Sequence, residues 1–123
     1  QIKTPTLLFF WLPQSKSCQL QLDILSQINH KYNQNLKIIG IGIGALNHKQ
    51  VKEIINTKQI KFPVAIDLKT KLTQQMNITA IPSLVLYHPQ AEPKVIVGLT
   101  NKAKLSQIIA NYFPNIKPST KKR

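Results

Sequence analysis

Apolar and polar positions along the chain fall into two kinds of run. Residues 6–12 are apolar and aromatic almost throughout, which predicts a buried strand that Pro13 ends. Over residues 16–32, Cys18, Leu22, Leu25, Ile28 and Tyr32 recur at spacings of three or four. That is the single apolar stripe of an amphipathic helix. Asn33-Gln34-Asn35 breaks the period, and the isoleucine-rich residues 36–43 predict a second buried strand. Asn47 is a candidate N-cap for a helix running toward Phe62, with Val51, Ile54 and Ile55 facing inward.

The second half continues the alternation with shorter pieces. Residues 62–66 are extended, and Asp67 can cap a helix carrying Leu68, Leu72 and Met76 at i, i+4 and i+8. Residues 83–87 predict a third main strand directly after Pro82, 88–93 a turn with two prolines, and 94–98 a fourth main strand. Asn101 caps a last helix with Leu105, Ile108, Ile109 and Tyr112 on one face, and Pro114 stops it. The order is β-α-β-α-(β)-α-β-β-α. Long helical connections between the early strands imply parallel pairing, and the short last link implies an antiparallel hairpin. The expected fold class is α/β: a mixed sheet with helices on both faces, one domain over residues 1–114, then a polar, basic and mobile tail over 115–123.

Composition changes this picture little, and charge changes it more. A chain of 123 residues, 42% apolar, can bury a core without disulfide staples. No apolar run approaches the ~20 residues that cross a bilayer. The opening Gln1-Ile2-Lys3 is no secretory leader, although a membrane tether outside this sequence is compatible with it. A single cysteine excludes an intramolecular disulfide. The net charge is +13, opposed only by Asp23, Glu53, Asp67 and Glu92. The charge is nearly all lysine, with Arg123 the sole arginine, whereas bidentate reading of guanine or phosphate favours arginine. Nucleic acid is therefore not the expected partner. Lysines spread along the chain read first as a solvated basic surface, and polyanion binding is the competing reading.

Two local stretches carry chemistry. The first is Phe9-Phe10-Trp11-Leu12-Pro13-Gln14-Ser15-Lys16-Ser17-Cys18, a strand running into a helix start. The second is Thr79-Ala80-Ile81-Pro82-Ser83-Leu84-Val85-Leu86. In this order the two resemble the thioredoxin superfamily, over roughly residues 6–113. In that family a strand ending in Phe-Trp leads into Cys-x-x-Cys, with the second cysteine seven residues after the tryptophan. Cys18 lies seven residues after Trp11, so Ser15 holds the first-cysteine position. Pro82 resembles the family's cis-proline, in a loop that offers backbone groups to an extended substrate. The inserted residues 47–66, with Phe62-Pro63-Val64 before Asp67, are similar to the TlpA/ResA-like branch. Those proteins are mostly membrane-tethered or periplasmic thiol-disulfide oxidoreductases. The resemblance implies a thioredoxin fold and a periplasmic or otherwise extracytoplasmic location. It also implies a protein or peptide substrate or a redox partner protein. The implied site consists of Ser15 and Cys18 for chemistry, with Trp11, Pro13, Ile81 and Pro82 for substrate.

The departures from the family fall on the chemistry. A thiolate at a helix N-terminus is stabilised by free backbone N–H groups, attacks a disulfide, and is resolved by the second cysteine. A serine hydroxyl at Ser15 ionises far less readily and forms no disulfide. An acidic residue is frequent in the branch three positions after the second cysteine; here that position is Gln21, which transfers no proton. If the chain is an enzyme, it is a thiol-disulfide oxidoreductase working through Cys18. The alternative is a redox-silent module that holds an extended peptide in a groove near Trp11 and Pro82. Ser15 has no placed histidine or carboxylate to make it a nucleophile. His30, His48 and His88 lack ligand spacing, so no metal is expected. Gly40-Ile41-Gly42-Ile43-Gly44 lacks the dinucleotide spacing, and its glycines read as close packing in a strand, so no cofactor is expected.

Overall fold

The computed structural model describes residues 4–119. Its centre is β1 (Thr6–Trp11), whose residues are buried on both faces because it lies in the middle of a five-stranded sheet. From Ser15 the chain enters α1 (Lys16–Tyr32), then turns through a short 3₁₀ segment, Asn33–Asn35, into β2 (Lys37–Ile43). There follow α2 (His48–Lys58), β3 (Val64–Asp67), α3 (Lys71–Gln75), β4 (Ser83–Tyr87), β5 (Lys94–Val97) and α4 (Lys102–Tyr112). The sheet order is β3-β2-β1-β4-β5. β1, β2 and β3 run parallel, and β4 is antiparallel to both β1 and β5.

One face of the sheet carries most of the core. Leu7, Phe9 and Trp11 of β1, Ile38 of β2, and Leu84 and Leu86 of β4 pack there under α1, α2 and α4. The expected stripe of α1 is buried in full, from Cys18 to Tyr32. Asn47 and Asn101 cap α2 and α4 as their spacing predicts: their side chains accept hydrogen bonds from the amides of Gln50 and Lys104. The other face holds a smaller cluster of Phe10, Ile41 and Val85, against which Leu72 and Met76 pack.

Two expectations need correction. Leu68 is not on α3: it lies in a turn ahead of the helix and is 58% exposed. Asp67 does serve the helix start, but from further back, by accepting hydrogen bonds from the amides of Leu72 and Thr73. Nor does the chain leave the domain at once after α4. Ile116 packs against the core, Asn35 Nδ2 donates to the Lys117 carbonyl at 2.9 Å, and the Ser119 amide donates to the Lys31 carbonyl at 2.8 Å. The last four residues of the expected tail, 120–123, lie outside the described residues.

The glycines of β2 admit close neighbours, as their placement in a strand suggests. A Cβ at Gly42 would come within 2.6 Å of Leu46 Cδ1, and one at Gly40 within 3.3 Å of Val64 Cγ2. Gly44 lies just past the strand at φ 83°, where the chain turns toward α2.

Topology gives the sheet one distinguished edge. The carboxyl ends of β1, β2 and β3 all lie there because these strands are parallel. β4 starts there and β5 ends there. α1, α2 and α4 each follow a strand that ends at this edge, so their N-termini gather at it.

Candidate functional site

The residues singled out in the sequence come together at that edge. Phe10 pairs with Ser83, so the Leu12–Cys18 turn leaves the sheet beside the point where Pro82 enters it. The Ile81–Pro82 peptide bond is cis. Two hydrogen bonds hold this loop: Ser83 Oγ donates to the Ala80 carbonyl at 2.5 Å, and the Gly98 amide donates to the Pro82 carbonyl at 2.8 Å.

Ser15 is the N-cap of α1. Its Oγ accepts a hydrogen bond from the Cys18 amide at 3.1 Å, and its own amide donates to the Leu12 carbonyl. The serine therefore fills a structural position that its hydroxyl suits better than a thiol would. Cys18 Sγ has no such role. The side chain is 0% exposed and belongs to the core cluster with Trp11 and Leu22.

Trp11 and Pro13 do not offer the substrate surface expected of them. Trp11 is 0% exposed and stacks on Phe9, with ring centroids 6.1 Å apart. Its indole nitrogen reaches over Gly40, 3.5 Å from where a Cβ would stand, and has no hydrogen-bond partner among the described residues. Pro13 is buried too, and its carbonyl accepts from Gln19 Nε2 at 2.7 Å. The reason is the same for both: each lies at or just past the end of the central strand, under α1. Pro82 is also buried. Of the six candidate site residues only Ser15 and Ile81 reach solvent, both of them half-buried.

Gln21 proves to be part of the same architecture. It is 0% exposed. Its Nε2 donates to the Thr100 carbonyl at 3.0 Å, and its Oε1 accepts from the Thr100 amide at 2.9 Å. Both bonds tie α1 to the residue before the cap of α4. An amide satisfies this donor–acceptor pair on Thr100 without a proton, which a carboxylate with two acceptors cannot do. Sequence showed only the absence of an acid at Gln21; the partner is 79 residues away and no local signal announces it.

Asp67, at the same edge, has its carboxylate turned inward. Partial desolvation alone would raise its pKa. Hydrogen bonds from the Thr73 hydroxyl and from the amides of Thr73, Leu72 and Lys71 outweigh that and hold it below the ordinary aspartate value. Among the described residues no three His, Cys, Asp or Glu side chains gather in a metal-binding group. A cavity of about 1000 Å³ opens at the opposite edge of the sheet, between His88, Gln90, Tyr112, Phe113 and Asn115, away from Ser15.

Comparison with known proteins agrees with this geometry. A family model described as thioredoxin-like matches residues 3–92. The thiol-disulfide oxidoreductase ResA of Bacillus cereus is 26% identical over 110 residues, covering 85% of this chain and 61% of that protein. This chain thus spans about three fifths of the length of that relative. Two solved structures share the fold. A putative thioredoxin from Neisseria meningitidis superposes with a TM-score of 0.81 at 23% identity, over 91% of this chain and 76% of its own. A secreted disulfide oxidoreductase of Mycobacterium tuberculosis, homologous to E. coli DsbE, gives 0.77 at 20% identity over 88% and 81%. With that family match over residues 3–92, a mixed sheet in this order and a cis-proline beside the start of α1, the chain belongs to the thioredoxin-like family.

Proposed function

We propose that this chain binds an extended segment of a protein partner at the Ser15/Ile81 edge, and does so without dithiol turnover. The carrying observation is that the thioredoxin-like site keeps its framework while its solvent-facing position is a serine engaged as a helix cap. Cys18 lies wholly in the core, so forming a mixed disulfide would require the first turn of α1 to open. Ile81, the half-buried apolar residue next to Pro82, packs against the core on one side, and its exposed part would meet the bound segment. A role in an extracytoplasmic thiol-disulfide pathway, as a binding rather than an electron-carrying member, is supported by the likeness to ResA and to the secreted mycobacterial oxidoreductase. Any tether would lie outside this sequence.

The test pairs an activity with a binding measurement. Insulin reduction driven by dithiothreitol should run no faster with this protein than with its Cys18→Ser variant. A labelled insulin B chain with alkylated cysteines, used as an extended probe, should bind the protein and bind Ile81→Asn more weakly. Turnover that depends on Cys18, or probe binding indifferent to Ile81, overturns the proposal.

A further inference from the structure

The lysines that look scattered along the sequence are not scattered in space. Lys16 opens α1, Lys49 is the second residue of α2, Lys69 and Lys71 stand between β3 and the start of α3, and Lys102 and Lys104 are in the first turn of α4. All six are exposed and all belong to the edge that carries Ser15 and Ile81. Among the described residues none of them forms an ion pair; the described ion pair is Lys58–Asp23, at the far end of α2.

The usual placement of charge is inverted at this edge. The N-terminus of a helix carries partial positive charge, so carboxylates in the first turn stabilise it and ammonium groups there oppose it. α1, α2 and α4 have no acidic residue in the first turn, and each has a lysine instead. The nearby Asp67 keeps its charge, bonded through both oxygens to Leu72 or Thr73, and that single carboxylate offsets only one of the six lysines. Helix ends and side chains thus add to one positive field over the site. A local rule broken in several helices at one place, with no ion-pair partner among the described residues, calls for a partner outside the molecule.

We infer that the segment bound at the Ser15/Ile81 edge is acidic, an extended stretch of protein whose carboxylates pair with Lys16, Lys49, Lys71 and Lys102 around the groove. This rests on the proposed binding function and adds the chemistry of the partner. The apolar component is modest: Leu68, Val97 and Leu99 are exposed at the same edge. The phenylalanines and Trp11 are buried, and the half-buried Tyr87 and Tyr112 belong to the opposite end, so no aromatic residue stands out from this edge to enter a bilayer. A protein segment therefore fits better than a lipid surface.

Three labelled twelve-residue peptides test it, sharing a Gly-Ser-Val framework and carrying four glutamates, four glutamines or four lysines. Two variants accompany the native protein. One replaces Lys16, Lys49, Lys71 and Lys102 by glutamine. The other makes the same change at Lys37, Lys61, Lys94 and Lys117, exposed lysines of the opposite edge. Four rim pairs of ordinary strength predict that the glutamate peptide binds about tenfold tighter than the glutamine peptide. That preference should shrink with salt, vanish in the first variant and survive in the second. Equal loss in both variants overturns the inference, because net charge alone then explains it. So does binding of phosphatidylglycerol vesicles with no binding of any peptide. If glutamate and glutamine peptides bind alike and Ile81→Asn weakens both, the groove stands and its acidic partner falls. If the glutamate preference follows the four edge lysines but ignores Ile81→Asn, the acidic partner stands and the groove falls.

Discussion

The floor and the rim of the site obey different rules. The floor is Trp11, Cys18, Gln21 and Pro82, all buried, with Gln21 held to Thr100 by two hydrogen bonds. The rim is Ser15 and Ile81 with the lysines around them, all reaching solvent. The floor keeps the thioredoxin-like framework because it is also the core of the domain: removing a side chain there leaves a cavity or an unpaired polar group. The rim carries less of that duty: Ser15 caps α1, and a serine at this position serves the fold without a thiol. The comparison teaches that the shape of a site and its solvent-facing chemistry can be set separately when shape and stability share the same residues.

The sharpest way to break this separation is to return the missing thiol. In Ser15→Cys, the two cysteines would stand at the spacing used for a helix-end dithiol, over an intact floor. The expected outcome is insulin reduction well above both the uncatalysed background and the rate with the native protein. Failure of Ser15→Cys to react, with its fold intact by circular dichroism, would mean that the floor has also lost what the chemistry requires.

At the floor the largest expected effect is on stability. Trp11→Ala removes a wholly buried indole and should cost about 3–5 kcal/mol in denaturant unfolding. Trp11→Phe should cost much less. It loses ring volume, but it also removes a buried N–H that has no partner among the described residues. Should Trp11→Phe be as damaging as Trp11→Ala, the indole nitrogen has a partner in solution, such as a buried water over Gly40.

Gln21 supplies the next step down. Gln21→Leu leaves the amide and carbonyl of Thr100 without their partners and should cost about 1–3 kcal/mol. Gln21→Glu introduces a carboxyl at the same place, and its effect depends on pH. One carboxyl oxygen must face the Thr100 carbonyl, so burial and this contact favour the protonated form and raise the folded-state pKa above the usual glutamate value. A raised folded pKa means that stability is fully present below the unfolded pKa and is lost as pH rises through the folded one. Unfolding of Gln21→Glu followed across pH should therefore show falling stability on the alkaline side, with a flatter profile for the native protein over that range.

The floor and the rim also differ in how much of them the sequence discloses. The apolar periods of α1, β1 and β4 locate the elements to within a residue, because burial on a fixed face imposes a fixed spacing. The Ser15–Cys18 turn and Pro82 are likewise readable as local strings. Two things are not. Whether Trp11 faces a groove or the core depends on α1 covering the end of β1, which no neighbouring residue encodes. The lysine rim is assembled by topology, since Lys16, Lys49, Lys71 and Lys102 share one edge only because the strand directions put several helix starts there. Leu68 shows the converse error: a correct period of four extended across a turn in which Thr70 adopts a left-handed conformation.

The smallest expected effect lies where floor and rim meet. Ser15→Ala removes the oxygen that accepts the Cys18 amide and should cost about 1 kcal/mol, the usual value of a lost N-cap. Yet this is the change that most directly separates cap from site. If Ser15 serves α1 alone, Ser15→Asp should restore stability, since aspartate caps as well as serine and its charge suits a helix N-terminus. Aspartate would also place a carboxylate at the edge that carries Lys16, Lys49 and Lys102, opposing the field that an acidic partner is expected to fill. Ser15→Asp should therefore be as stable as the native protein in urea and bind the glutamate peptide more weakly. Restored stability with unchanged peptide binding would leave Ser15 a cap and nothing more, and would move the partner's carboxylates away from the start of α1.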